Sequence, residues 1–136
     1  MRHLNPPSFP KPNGYTHAVE AAAGRTVYVS GQVSLDAAGK VVGAGDVATQ
    51  ARQVFENLKT VLAAANATLE DVVKITVFMT DLLTGLSAFR KLRNEYFPKD
   101  PPASSLVQVA GLVLPELLIE IKAVAVVSAE VVRARQ

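Results

Sequence analysis

The segment LLIEIKAVAVV, residues 117–127, does most to limit what this chain can fold into. Its alternate positions Leu117, Ile119, Ile121, Ala123 and Ala125 are apolar, the mark of a strand with a buried face. The other face begins Leu118, Glu120, Lys122 and turns apolar at Val124. A strand apolar on both faces over part of its length needs cover on both sides. The 136 residues make one compact domain with two helical patterns, enough to cover one side of a sheet. The other side is expected to be buried by a second copy of the chain. A hydrophobic share of 49% against 19% charged residues agrees with apolar surface held between subunits.

Residues 1–14 read as an extended arm, because their prolines forbid a helix and the NG at 13–14 is a turn signal. A single domain is expected over 15–128, followed by a tail at 129–136. Thr16 to Ala22 is a short, weakly patterned strand. TVYVSGQV, 26–33, is a clearer one, with Val27, Val29, Gly31 and Val33 on one face and Tyr28, Ser30 and Gln32 on the other. Asp46 is placed to cap a long helix with an apolar face of Val47, Ala51, Val54, Phe55, Leu58, Val61, Leu62 and Ala65. Arg52, Glu56 and Lys59 form its polar side, and NAT ends it. TLED at 68–71 resembles a capped single turn. VVKITVFMT, 72–80, is a β-branched strand with Val73, Ile75, Val77 and Met79 on one face. A second helix is expected from about Ser87 to Phe97, stopped by Pro98 and the prolines at 101–102. Strands follow at 103–109 and 117–127. The order is ββαβαββ, an α+β fold.

Several chemistries are excluded early. The chain has no cysteine, which removes disulfides, thiolate metal sites and Cys nucleophiles. Its two histidines, His3 and His17, are too few to start a zinc site. The net charge of +2 comes from scattered residues, not from the basic stripe of a nucleic-acid binder. The N-terminus has no apolar stretch of a signal peptide, and no run reaches membrane-spanning length. A cytoplasmic protein with no nucleic-acid or membrane partner is expected.

What remains is a short set of candidates. Glu120 is a carboxylate in the most apolar strand, where an unpaired charge is costly. It reads either as a surface residue beside Lys122 or as a pocket carboxylate that acts as base or orients water. VSGQ at 29–32 sets Ser30 and Gly31 near a strand end, where glycine marks a bulge or the close approach of a ligand. Tyr15 is a pocket wall or a staple for the arm. Ser104 and Ser105 lack the positioned base and the GxSxG elbow that a serine nucleophile needs.

YVSGQVSLDAAGKVVG, QARQVFENLKTVLAAANATLEDVVKITVFMTDL and PPASSLVQVAGL with LIEIKAVAV together resemble the RidA/YjgF family of reactive enamine/imine deaminases, from about Tyr15 to Val127. The resemblance implies a chorismate-mutase-like fold, a mixed sheet with two helices on one face. It also implies a homotrimer with clefts between subunits. In deaminating members the cleft takes small 2-imino acids and hydrolyses them to 2-keto acid and ammonium, without metal or cofactor. By the same resemblance Tyr15, Ser30, Gly31, Ser105 and Glu120 match pocket positions, with Glu120 as the catalytic carboxylate.

The family's Pro-Ala-Arg-Ser signature is broken here, since Pro102, Ala103 and Ser105 match but Ser104 stands in the arginine's place. That arginine grips the substrate carboxylate with two charge-assisted bonds. Losing it should cost on the order of 2–5 kcal/mol of binding. Weak or absent 2-imino-acid deamination is therefore expected. Arg90 falls where deaminating members often carry Asn, and reads as a relocated cation or as a solvated helix residue beside Lys91 and Arg93. The expected function is a deaminase-type hydrolase on a small imine, enamine or related metabolite. The alternatives are a trimer that binds a metabolite without turnover and, more weakly, an endoribonuclease.

Overall fold

A computed structural model describes residues 1–129 and 135. Most of the tail anticipated at 129–136 lies outside the described residues. The elements are β1 (Arg2–Leu4), β2 (Ala18–Glu20), β3 (Gly24–Val33), α1 (Val47–Ala63), a single 3₁₀ turn (Leu69–Asp71), β4 (Val72–Met79), α2 (Leu82–Tyr96), β5 (Ala103–Gln108) and β6 (Ile119–Ser128). Four strands form a mixed sheet in the order β3-β6-β4-β5, with β4 and β5 parallel and the other pairs antiparallel. β1 and β2 make a separate two-stranded ribbon, so part of the N-terminal arm pairs in register, Arg2 opposite Glu20. No helix of the described residues is long and apolar enough to cross a membrane.

α1 begins where the Asp46 side chain accepts from the Thr49 amide at 3.2 Å and from its hydroxyl at 2.8 Å. It ends at Ala63 with Ala64 as C-cap, and Asn66, with a φ of 53°, closes the turn that follows. Its buried stripe is Gln50, Ala51, Val54, Phe55, Leu58 and Leu62. Val61, expected on that stripe, is 37% exposed and sits on the solvent side. α2 starts at Leu82, not near Ser87, because Asp81 caps it through the Thr84 amide. Gly85 sits in its first turn against Met79 and Val47, where a Cβ would overlap the Met79 side chain. Phe55 gathers the two helices, stacking on Tyr96 at 4.6 Å and meeting Phe89 and Phe97 at about 6 Å.

The helices lie on one side of the sheet, where Ile75, Val77, Ile119, Ile121, Ala125 and Val127 are sealed from solvent. A register shift between Val72 and Lys74 makes Val72, not the expected Val73, the buried residue at the start of β4. The opposite face carries Tyr28, Lys74, Thr76, Phe78, Glu120, Lys122, Val124 and Val126. No described element covers it, and Tyr28 is 80% exposed.

Candidate functional site

The open face of the sheet is organised by a bulge in β3. Val29 pairs with Ala123 and Gln32 with Ile121, so Ser30 and Gly31 together oppose Lys122. The extra residue reverses the alternation. Gly31 and Val33, expected to share the face of Val29, stand instead on the side of Glu120. Val33 pairs directly with Glu120, and a Cβ on Gly31 would overlap the Glu120 carboxylate. Only glycine leaves that carboxylate its place.

Glu120 is half-buried between Val33 on one side and Phe78 on the other. It makes no hydrogen bond or ion pair with any described residue. Lys122, its candidate surface partner, holds its ammonium 5.9 Å from the centre of the Phe78 ring. A carboxylate in such a setting has its oxygens open to a water or a ligand. Beside it, Tyr28, Ser30, Lys74, Thr76 and Lys122 border a groove of about 240 Å³. Ser105 lies on the same open face, opposite Thr76, and its hydroxyl accepts from the Lys74 ammonium at 2.7 Å.

The remaining candidates sit elsewhere. Ser104 stands opposite Ile75 in the parallel register, which puts it on the helix side of the edge strand. Tyr15 is fixed beside it. The Thr16 amide donates to Pro102 O at 3.1 Å, the Thr16 hydroxyl donates to Pro101 O, and Thr16 pairs with Ala103. Tyr15 meets His17 edge-to-face at 5.3 Å and borders a cavity of about 600 Å³ with Gly14, Asn94, Phe97 and Pro101. Arg90 is exposed on α2. Ser104 on β5 and Ser30 on β3 are separated by three strand spacings, roughly 14 Å, and lie on opposite faces. The candidates therefore fall apart within one chain: Ser30, Gly31, Ser105 and Glu120 share the open sheet face, Tyr15 borders the cavity, Ser104 is on the helix side of β5 and Arg90 is exposed on α2.

Three residues of consequence escaped the sequence reading. Gln50 is fully buried, and its amide donates to Gly43 O and Glu116 O while its carbonyl accepts from the Leu118 amide at 2.8 Å. It clasps the entry of β6, two residues before Glu120. Asn57 donates to Val33 O and Leu35 O and so holds the end of β3 just past the bulge. Arg93 is 6% exposed, and burial beside Arg90 lowers its pKa from the usual arginine value. The available signal was position, since Gln50 lies one turn from Val47 and Val54, and Arg93 one turn from Phe89.

The family model described as endoribonuclease L-PSP matches residues 8–127. Protein DfrA of Myxococcus xanthus is 42% identical over 98 residues, covering 72% of this chain and 74% of that protein. A RutC family protein of Pyrococcus horikoshii is 38% identical over 117 residues, 85% of this chain and 90% of the relative. The crystal structure of YyfB from Yersinia pestis, a protein of unknown function of the conserved Rid family, superposes with a TM-score of 0.87 at 41% identity, covering 92% of this chain and 97% of that one. RidA from an Antarctic Psychrobacter superposes with a TM-score of 0.70 at 32% identity, over 93% and 99% of the two chains.

Proposed function

The chain belongs to the RidA/YjgF family, and from that premise we propose that it is a hydrolase of the enamine/imine deaminase type working in a cleft between copies of itself. The carrying observation is Glu120, a carboxylate without a partner among the described residues, held at a glycine bulge on a sheet face that nothing described covers. In this reading Glu120 accepts a proton from water as the water oxygen adds to the imine carbon. The proton then passes to nitrogen, the new hydroxyl's proton follows it as the C–N bond breaks, and ammonia leaves a carbonyl product. Three copies packed through their open faces would set Tyr15, Ser104 and Arg90 of one copy against Ser30, Gly31 and Glu120 of the next. Ser104 offers a short neutral hydroxyl where deaminating relatives offer a guanidinium, so turnover of ordinary 2-imino acids is expected to be slow.

The test generates 2-aminoacrylate in situ and compares pyruvate release with and without the protein. Slow but measurable acceleration that disappears in Glu120→Gln is the expected result. Full family-like turnover would overturn the role given to Ser104, and acceleration unchanged in Glu120→Gln would overturn the role given to Glu120. The second reading is a trimer that binds a metabolite without turnover, and the Ser104 replacement favours it. Saturable binding with no acceleration for any imine or enamine would select it. Ser104→Arg then separates a missing anchor, which it restores, from a wider change of pocket, which it leaves silent.

A further inference from the structure

Lys74 and Lys122 place two ammonium groups on the open sheet face, and neither is matched by an anion. Across β4 and β6, Thr76 pairs with Lys122 and Lys74 with Val124, so the two lysines are diagonal neighbours on one face. Like charges in that arrangement repel, and no ion pair among the described residues includes either of them. Lys74 Nζ donates instead to the neutral Ser105 hydroxyl at 2.7 Å, and Lys122 Nζ rests 5.9 Å from the centre of the Phe78 ring. Glu120 lies two positions from Lys122 on β6, yet its carboxylate reaches across to Gly31 and pairs with neither lysine.

Both lysines border the groove of about 240 Å³ beside Glu120, together with Tyr28, Ser30, Thr76 and Val124. No acidic residue borders it. The hydroxyls of Tyr28, Ser30 and Thr76 make no hydrogen bond with any described residue. Five donors carried on three strands therefore border one hollow, and the described residues supply no anion to it.

The chemistry of these donors selects the anion. An arginine fork matches a flat carboxylate, whereas compact ammonium groups act as point charges and suit a rounded anion with several oxygens. A phosphoryl group carries about −1.5 to −2 charges at pH 7, which balances two lysines. The groove is smaller than the roughly 300–1,000 Å³ of pockets that take drug-sized ligands, so it suits a phosphate or a small molecule bearing one. Where this face is buried against another copy, two ammonium groups without a counter-charge would be costly, which strengthens the demand for an anion.

We propose that Lys74 and Lys122, aided by the hydroxyls of Thr76 and Tyr28, bind a phosphate group, free or carried by a small metabolite. This goes beyond the hydrolase reading and does not rest on it.

Calorimetric titration of inorganic phosphate, glycerol 3-phosphate and acetate into the full-length protein, at neutral pH and constant chloride, tests this. Saturable phosphate binding is expected, weakened at least roughly 10-fold in Lys122→Met, the range of one charge-assisted contact. The double variant Lys74→Met, Lys122→Met should lose it altogether. Lys91→Met removes the same charge from an exposed position on α2 and should leave phosphate binding unchanged. Thr76→Val keeps charge and shape and should weaken phosphate, so it decides together with Lys122→Met if the double variant does not fold. Tighter binding of glycerol 3-phosphate than of inorganic phosphate assigns the site to a phosphorylated metabolite, and the reverse order assigns it to the free ion. The proposal is overturned by any of three results: no saturable phosphate binding, acetate bound as tightly as phosphate, or equal phosphate affinity in Lys122→Met and Lys91→Met. None of these readouts depends on imine turnover, so the two readings fail separately.

Discussion

At position 31 the backbone and the Glu120 carboxylate compete for the same space, and glycine is what resolves the conflict. The overlapping atoms in a Gly31→Ala variant belong to the far end of a flexible side chain, so the variant should fold with a stability change below about 1 kcal/mol. Its carboxylate, however, must move, and a displacement of about 1 Å at a reacting group costs on the order of 100-fold in rate. Melting and imine-hydrolysis assays on the same sample check the pair of expectations. Wild-type turnover in Gly31→Ala would remove Glu120 from the mechanism. Glu120 was legible in the sequence because a charge inside an apolar strand is conspicuous. Its alliance with Gly31 was not, because strict alternation assigns position 31 to the other face and only the bulge reverses it.

α1 does more than cover the sheet, since two of its polar side chains pin the strands that carry the site. Gln50 satisfies Gly43 O, Glu116 O and the Leu118 amide, and Gln50→Leu would strand those backbone groups in the interior. A loss of about 2–4 kcal/mol is expected, measured by urea unfolding, from the cost of leaving buried groups unsatisfied. Glu116 and Gly43 are far apart in sequence, so no local pattern announces this clasp. Helix ends were more readable. Asp46 caps α1 as expected and the chain turns at Asn66 just past its end, while the start of α2 was misjudged because Asp81 caps a turn containing glycine.

The seam between the helices is expected to respond to pH. The Tyr96 hydroxyl donates to Glu56 at 2.6 Å, and this bond is the main cause that lowers the Glu56 pKa below its ordinary 4.5. Burial, with the same bond second, raises that of Tyr96 above its ordinary 10.0. The carboxylate's contribution is present above pH 4.5 and fades as pH falls through the lowered value. The phenol's contribution is present below pH 10.0 and fades as pH rises through the raised value. Tyr96→Phe should abolish the alkaline decline and shrink the acid one, read from melting temperature against pH. Unchanged limbs in the variant would show that other groups govern both.

Across the whole molecule, the uncovered face sets the expectation of assembly. Tyr28 pairs with Val124, which in turn pairs with Lys74, so an exposed aromatic and an aliphatic stripe lie together on a sheet with no cover among the described residues. Sedimentation should give three times the 14.4 kDa chain mass, and Tyr28→Glu should shift the protein toward folded monomers. A wild-type monomer would leave the candidate residues apart and defeat the shared cleft.

The sequence by itself determined the α+β class, the N-cap and most of the core stripe of α1, the open sheet face and the charge set inside β6. Each of these is written in local periodicity, capping chemistry or an out-of-place charge. Tertiary structure alone decided which side of the sheet Gly31 faces, that Ser104 and Ser105 point to opposite sides, and that Arg93 rather than Arg90 is the buried cation. The reason is physical. A bulge, a parallel register and the burial of one helix position depend on what packs opposite, and that partner lies tens of residues away along the chain.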